Sequence, residues 1–177
     1  GFIGYEGPER HVKAQRKAVG RIVAKHNGLC IGSSPGELYD QKKFDTPYIR
    51  DFLLDRGALA DVSETAAPWS ALPTVYGNVM ANAQAAFDEL HVHGYIMCHL
   101  SHSYHSGACL YFTFAGGVEP DERDAYYVAA WDAGTRAALA AGCALSHHHG
   151  VGLNRARFVA ETLGPAAEVL ASVKAAL

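Results

Sequence analysis

The chain has 177 residues, of which 49% are hydrophobic and 19% are charged, and this is enough for one compact domain with a buried core. Fifteen basic and eighteen acidic residues give a formal charge of -3, so the chain lacks the basic field with which proteins bind nucleic acid. It also lacks an apolar run of the roughly 20 residues that span a bilayer. The four cysteines include no C-x-x-C pair, which argues against a disulfide framework and favours a reducing, cytoplasmic setting.

The first third of the chain predicts a βαβ unit. Residues 2–6 are a strand candidate, Pro8 opens a helix, and an Asn-Gly pair at Asn27 ends it. Residues 29–32 predict a second strand. A separate short helix is predicted over residues 47–54.

The middle of the chain is more regular. Residues 58–65 predict a strand, and Ser70 can cap a long helix whose apolar side chains recur every three or four residues. Two further strands are predicted over residues 95–101 and 108–115, on either side of a short polar segment. This arrangement is typical of a hairpin.

A second helix begins at Pro120 and ends near Gly142, and residues 143–146 predict a last strand. The order β-α-β-β-α-β is that of a ferredoxin-like sheet with both helices on one face. We therefore predict an α+β fold, with a ferredoxin-like βαββαβ unit extended by the N-terminal βαβ. The antiparallel sheet carries helices on one face, and residues 1–177 are treated as one domain.

Histidine is unusually frequent, with ten residues, and eight of them fall in two clusters. The clusters are His91, His93, His99, His102 and His105 near the predicted hairpin, and the run His147, His148 and His149. Imidazole binds zinc, iron, nickel and copper, but adjacent histidines on an extended segment point to opposite sides, and no H-E-x-x-H motif occurs. We assign no metal site and keep a His-rich metal-binding or interaction module as the non-enzymatic alternative.

Tyr104 lies in the polar segment of the predicted hairpin, between His102 and His105. Cationic imidazoles on both sides would favour the phenolate form of this side chain. Tyr104 is therefore a candidate for general acid and base chemistry, and amphipathic packing is the alternative reading.

The run S-H-H-H-G-V-G from Ser146 to Gly152 resembles a signature of the alkyldihydroxyacetonephosphate synthases (alkylglycerone-phosphate synthases), within the vanillyl-alcohol-oxidase-like flavoprotein superfamily. Three other segments agree in order and spacing: residues 48–51, residues 64–69, and Tyr104 with residues 107–112. The resemblance covers nearly the whole chain.

This resemblance implies that the chain is the C-terminal cap or substrate domain of an FAD-linked enzyme, with the FAD-binding domain of the same protein upstream. FAD is the implied cofactor, and the isolated fragment is expected to be inactive. The implied reaction exchanges an acyl for an alkyl group on dihydroxyacetone phosphate, without net redox change, in ether-lipid synthesis. An FAD-linked dehydrogenase or oxidase of a 2-hydroxy acid or phenolic alcohol is the alternative enzyme.

The same resemblance implies a lipid-like phosphate substrate, and the charge of -3 argues against a nucleic-acid partner. A homodimer and a peripheral membrane contact are left open. By position, Tyr104 would be the acid or base near the substrate carbon, with His148 and His149 as further catalytic residues. His147, His148 and His149 would line the FAD.

Arg50, His147 and Arg155 would bind the substrate headgroup, because a guanidinium fork suits phosphate oxygens. For Arg50 the alternative is an ion pair on the helix surface with Asp51 or Asp55.

Overall fold

The structure is a computed structural model that describes residues 3–177, apart from the side chain of residue 46. The chain forms two compact units, one that ends at Ile49 and a second over Arg50–Leu177. No helix in the described part of the chain is both long enough and apolar enough to cross a bilayer.

The first unit is helical in its described residues. Helix α1 spans Glu9–Lys25 and follows Pro8, and helix α2 spans Ser34–Lys42 and leads into a 3₁₀ turn at Lys43–Asp45. The predicted βαβ unit is wrong here, because residues 3–6 and 29–32 are irregular and residue 2 lies outside the described residues. The apolar run that predicted the second strand is short and unpacked: its Leu29 is 85% exposed. A run of four residues gains no stability as a strand without a partner.

Helix α3 spans Thr46–Leu54, which confirms the short helix predicted over residues 47–54. The sheet of the second unit follows it. Strand β1 spans Ala58–Pro68, β2 spans Gly94–Ser103 and β3 spans Gly107–Gly117.

All strand pairs are antiparallel, and the order β1-β3-β2 places β3 in the centre. Two long helices, α4 (Leu72–Glu89) and α5 (Arg123–Ala140), pack against each other and against the sheet. The core between helices and sheet contains five large aromatic residues: Phe87, Phe112, Phe114, Tyr126 and Trp131. The α+β class and the antiparallel sheet with helices on one face are therefore confirmed.

The predicted last strand, residues 143–146, is irregular rather than a strand. The segment nevertheless runs beside β1, where the Ala144 amide donates to the Ala66 carbonyl at 3.0 Å and the Thr65 hydroxyl donates to the Ala144 carbonyl at 2.5 Å. It occupies the position of the fourth ferredoxin-like strand without a full ladder, because the chain turns away after it.

The chain ends in three short helices, α6 (Gly152–Ala156), α7 (Val159–Leu163) and α8 (Ala166–Ala176).

Side chains alternate between the two faces of β3, as the pleat requires. Phe112 and Phe114 are buried under the helices, whereas Tyr111 and Thr113 point to the opposite face. We call this opposite side the open face. Glu64 on β1 lies directly across from Tyr111 in the register, so both side chains belong to the open face.

Candidate functional site

The three adjacent histidines lie in a loop beside β1, and we call residues 146–150 the triple-histidine loop. Gly150 ends it with a φ of 77°. This left-handed conformation costs glycine little because it has no Cβ. The chain enters α6 two residues later.

Glu64 on β1 anchors the triple-histidine loop through hydrogen bonds to its carboxylate. Its side chain is buried, and its Oε1 accepts a hydrogen bond from the Ser146 hydroxyl at 2.6 Å. The backbone amides of His147 and His149 donate to the same carboxylate at 2.8 and 3.2 Å. The Arg155 guanidinium lies 3.8 Å from Oε1. One carboxylate therefore satisfies three donors of the loop.

These contacts determine the charge of Glu64. Burial alone would raise its pKa, but the hydrogen bonds from Ser146, His147 and His149, with the charge of Arg155, lower the pKa to about 2. Glu64 is therefore a carboxylate at every physiological pH.

Near Glu64, on the open face, four side-chain rings form a continuous hydrogen-bonded chain. The Tyr104 hydroxyl lies 3.1 Å from His147 Nε2, and His147 Nδ1 lies 2.9 Å from His148 Nδ1. His148 Nε2 lies 2.7 Å from the Tyr111 hydroxyl. We call Tyr104, His147, His148 and Tyr111 the ring chain.

The backbone of Tyr104 is held at both polar groups. Its amide donates to the Gly107 carbonyl at 2.8 Å, and its carbonyl accepts from the Trp69 indole at 2.9 Å. The side chain is 50% exposed. A fixed backbone therefore presents a phenol that a ligand can reach.

Two protonation states in the ring chain follow from its surroundings. Partial loss of solvation among the neighbouring rings, followed by the charge of His149, lowers the pKa of His148, so this imidazole is neutral at neutral pH. Burial, with the nearby Cys109 and Glu64, raises the pKa of Tyr111, which therefore keeps its proton.

Other imidazoles surround the ring chain. The His102 ring centroid lies 4.9 Å from that of His148 and 6.0 Å from that of Tyr111. His102 has a φ of 44° at an irregularity in β2, which aims its ring at this cluster. The His149 ring lies 4.4 Å from that of His148.

A metal ion is the other chemistry that this cluster could support, since ligand-type atoms of Glu64, Cys109, His147 and His148 lie within 4.8 Å of one another. Cys109 is a weak candidate, because burial, followed by the charge of Glu64, raises its pKa to about 11 and a thiolate is needed to bind metal. The other atoms already have hydrogen-bond partners within the cluster. We interpret the group as a hydrogen-bonded network.

Comparison with known proteins identifies the family. The sequence model described as "FAD linked oxidases, C-terminal domain" matches residues 2–177. The chain belongs to this family. It is also similar to three curated proteins named alkyldihydroxyacetonephosphate synthase. They come from Dictyostelium discoideum (38% identity over 85% of the chain), Trypanosoma brucei brucei (34% over 85%) and Caenorhabditis elegans (28% over 90%).

Two solved structures of alkyldihydroxyacetonephosphate synthase superpose on 91% of the chain, with TM-scores of 0.70 and 0.64 and identities of 34% and 30%. The chain covers 29% and 28% of those two structures. It spans 24–27% of the length of the three curated relatives.

As an FAD-linked oxidase C-terminal domain, the chain has FAD as the cofactor of its family. The structure brings Tyr104 into contact with His147 and His147 into contact with His148, and the His149 ring lies beside that of His148. Their catalytic and FAD-lining roles stay predictions.

The two predicted substrate arginines are placed differently. Arg50 is exposed and forms an ion pair with Asp51 at 3.1 Å, the alternative considered from the sequence. Arg155 is buried and donates to the Gly150 and Glu64 carbonyls, both at 3.2 Å. Its guanidinium thus supports the triple-histidine loop from inside. A substrate contact of either arginine stays a prediction.

From the sequence, no function was assigned to two residues of the site, Glu64 and Tyr111. The signal for Glu64 was a carboxylate inside the strand predicted over residues 58–65, where residues 62–68 carry no other charge. Tyr111 looked like an ordinary aromatic residue of a hairpin. Only the sheet register shows that the two face each other beneath the histidines.

Proposed function

We propose that this domain is the cap and substrate-binding part of an FAD-dependent enzyme like alkylglycerone-phosphate synthase. The observation that carries the proposal is the ring chain on the open face, which ends at the half-exposed phenol of Tyr104. The names of the relatives support the same activity.

In this reaction the ester bond between the fatty acid and C1 of dihydroxyacetone phosphate breaks, and the fatty acid leaves as a carboxylate. A fatty alcohol forms the new ether bond at C1 and loses its hydroxyl proton. One proton is released and no electrons are gained or lost overall. The reaction therefore needs a base near C1, and Tyr104 is the proposed base.

The residues present fit a flavin. Tyr104 offers an exposed phenol, and His148 and His149 offer exposed imidazoles, which combine ring surfaces with polar nitrogens. These three residues with His147 would hold the isoalloxazine ring. When bound, FAD supplies an electron-accepting ring centre that no side chain offers.

For the substrate, we propose a lipid-like phosphate whose headgroup meets cationic donors. Arg50 lies on an exposed helix surface, where its present partner Asp51 is also exposed. An exposed pair of this kind is weak, so a dianionic phosphate can replace the carboxylate. Arg155, buried beneath the loop, would contribute its positive charge, and His147 would line the headgroup pocket beside Tyr104.

The proposed setting is the cytoplasm, and the free thiols of all four cysteines are consistent with it. The FAD-binding domain of the same full-length protein is the proposed partner. We propose no nucleic-acid partner, given the charge of -3.

The test uses the full-length protein that carries this chain, purified with its flavin. It is incubated with acyl-dihydroxyacetone phosphate and isotope-labelled hexadecanol, without an electron acceptor. We expect labelled ether lipid and an equal amount of free fatty acid. Flavin reduction by a 2-hydroxy acid or a phenolic alcohol, with no ether product, would show the dehydrogenase or oxidase alternative instead.

A further inference from the structure

Tyr111 lies at the far end of the ring chain from Tyr104, and its hydroxyl makes the shortest contact of the three. The phenol is half-buried on the central strand. Among the described residues, His148 Nε2 is the only hydrogen-bond partner found for this hydroxyl. A protonated phenol with this one acceptor donates to it.

The direction of that first bond determines the others. Because His148 accepts at Nε2 and is neutral, its single N–H lies at Nδ1 and donates to His147 Nδ1. His147 then carries its N–H at Nε2, which donates to the Tyr104 oxygen. With one N–H on each imidazole, both rings have one donor and one acceptor, and every link of the ring chain is satisfied.

We propose that Tyr111 is a positioning residue that orients the hydrogen bonds through His148 and His147, so that Tyr104 receives a hydrogen bond and works as the base of the reaction. The inference rests on the proposed function for the reaction itself. It adds a residue that acts on Tyr104 through two imidazoles.

The opposite direction would disable Tyr104 as a base. If Tyr104 donated its proton to His147, each N–H would reverse and Tyr111 would have to accept from His148. Tyr104 would then hold its proton against an imidazole acceptor and could not take the proton of the alcohol. Accepting from His148 would leave the Tyr111 hydroxyl proton without an acceptor among the described residues.

Charged and titratable groups reach this cluster from every packed element. They are Glu64 from β1, His99 and His102 from β2, Cys109 from β3, His149 from the loop and Arg155 from α6. Glu64 is a constant negative charge above pH 4.5 and Arg155 a constant positive one. Neither changes with the Tyr111 hydroxyl, so its removal can be tested alone.

The test compares Tyr111→Phe with Tyr127→Phe in the full-length flavoprotein. Tyr127 is the matched control, because it also loses a hydroxyl with a 2.7 Å hydrogen bond, to Asp61. That bond lies outside the ring chain.

For Tyr111→Phe we expect kcat to fall by roughly 10-fold to 100-fold, while KM for the acyl substrate stays within about threefold, because proton transfer and not binding is affected. The rise of kcat with pH should occur at higher pH in Tyr111→Phe than in the wild type. Tyr127→Phe should leave both unchanged. Equal kcat and equal pH profiles in the two variants would overturn the inference.

A second readout needs no turnover. Phenolate absorbance near 295 nm is titrated in the wild type and in Tyr104→Phe, and their difference isolates Tyr104. The same difference is taken between Tyr111→Phe and the double variant Tyr104→Phe/Tyr111→Phe. We expect the Tyr104 phenolate signal there to appear at higher pH than in the wild-type background. An unshifted signal contradicts the inference. If Tyr111→Phe folds poorly, His148→Gln interrupts the next link and should give the same shift.

The two hypotheses fail separately. A wild-type protein without exchange activity contradicts the proposed function, and the absorbance titration still decides the orientation of the ring chain. Exchange activity with an unshifted titration overturns the role of Tyr111 and leaves the proposed function intact.

Discussion

Glu64 combines burial with a negative charge, and three of the donors to its carboxylate come from one loop. Its pKa of about 2 compares with an ordinary value of 4.5. Because the folded value is depressed, the contribution of Glu64 to stability is fully present above pH 4.5. It is lost as the pH falls from about 4.5 to 2, where the folded state must also take up the proton.

We therefore expect the free energy of unfolding of the full-length protein to fall between pH 7 and pH 3, and Glu64 to account for about 2 kcal/mol of that fall. Glu64→Gln should lower stability at pH 7 and remove this part of the pH dependence. Urea unfolding at both pH values measures it. Asp61→Asn, on the same strand but the helix-covered face, is the control. The same pH dependence in Glu64→Gln and the wild type would disprove the anchoring role.

Tyr104 is the second residue whose replacement is informative. Tyr104→Phe keeps the ring and its backbone contacts to Trp69 and Gly107, but removes the proposed base. We expect folding and flavin content to stay nearly intact, while the rate of the full-length enzyme falls by roughly 100-fold or more. Steady-state ether formation measures this. Turnover near that of the wild type would exclude Tyr104 as the base.

At the scale of elements, the triple-histidine loop depends on one left-handed residue, Gly150. A Cβ there would meet no atom within 4 Å, so the cost of Gly150→Ala is conformational: φ is 77°. We expect a loss of about 1–2 kcal/mol. Gly77→Ala is the matched control, since Gly77 lies exposed inside α4, also with no atom within 4 Å.

Because alanine is a better helix former than glycine, Gly77→Ala should stabilise the protein by about 0.5–1 kcal/mol. Urea unfolding of both variants is the measurement. Changes of the same sign would show that the loop tolerates another backbone conformation at Gly150.

The helices and strands also show where hydrophobic periodicity predicts secondary structure correctly and where it does not. Helix α4 was predictable because its apolar residues recur every three or four positions along its length, and strands β2 and β3 because two longer apolar runs flank a short polar segment. Residues 29–32 and 143–146 were not, because a four-residue apolar run does not say whether a partner strand exists. Residues 143–146 do run beside β1, yet they make too few backbone hydrogen bonds to be a strand.

The site shows the same limit. The motif around His147 and the spacing to Tyr104 indicated which residues meet, and the structure places them in hydrogen-bond contact. The role of Glu64 depends on which backbone amides point inward in an irregular loop. No sequence pattern encodes that geometry, so the carboxylate beneath the motif becomes visible only in three dimensions.

At the scale of the whole molecule, the proposed flavin site lies on a single face of the sheet. The ring chain lies on the open face, where Tyr104 is half exposed and His148 and His149 are exposed. A ligand that touches a single open face gains fewer contacts than one enclosed on both sides, while it loses the same freedom on binding. If this face binds the flavin as proposed, high affinity for FAD requires the FAD-binding domain of the full-length protein.

We accordingly expect the 177-residue chain alone to show no saturable FAD binding at micromolar flavin, while the full-length protein retains its flavin through purification. Calorimetric titration of FAD into the chain measures this, and circular dichroism with urea unfolding shows that the chain used is folded. Tyr104→Phe in the chain alone should leave the titration unchanged, because one exposed ring adds little without an opposite wall. Tight, stoichiometric FAD binding by the folded chain would mean that the open face is a complete flavin site. The hypothesis that FAD binding needs a separate FAD-binding domain would then be wrong.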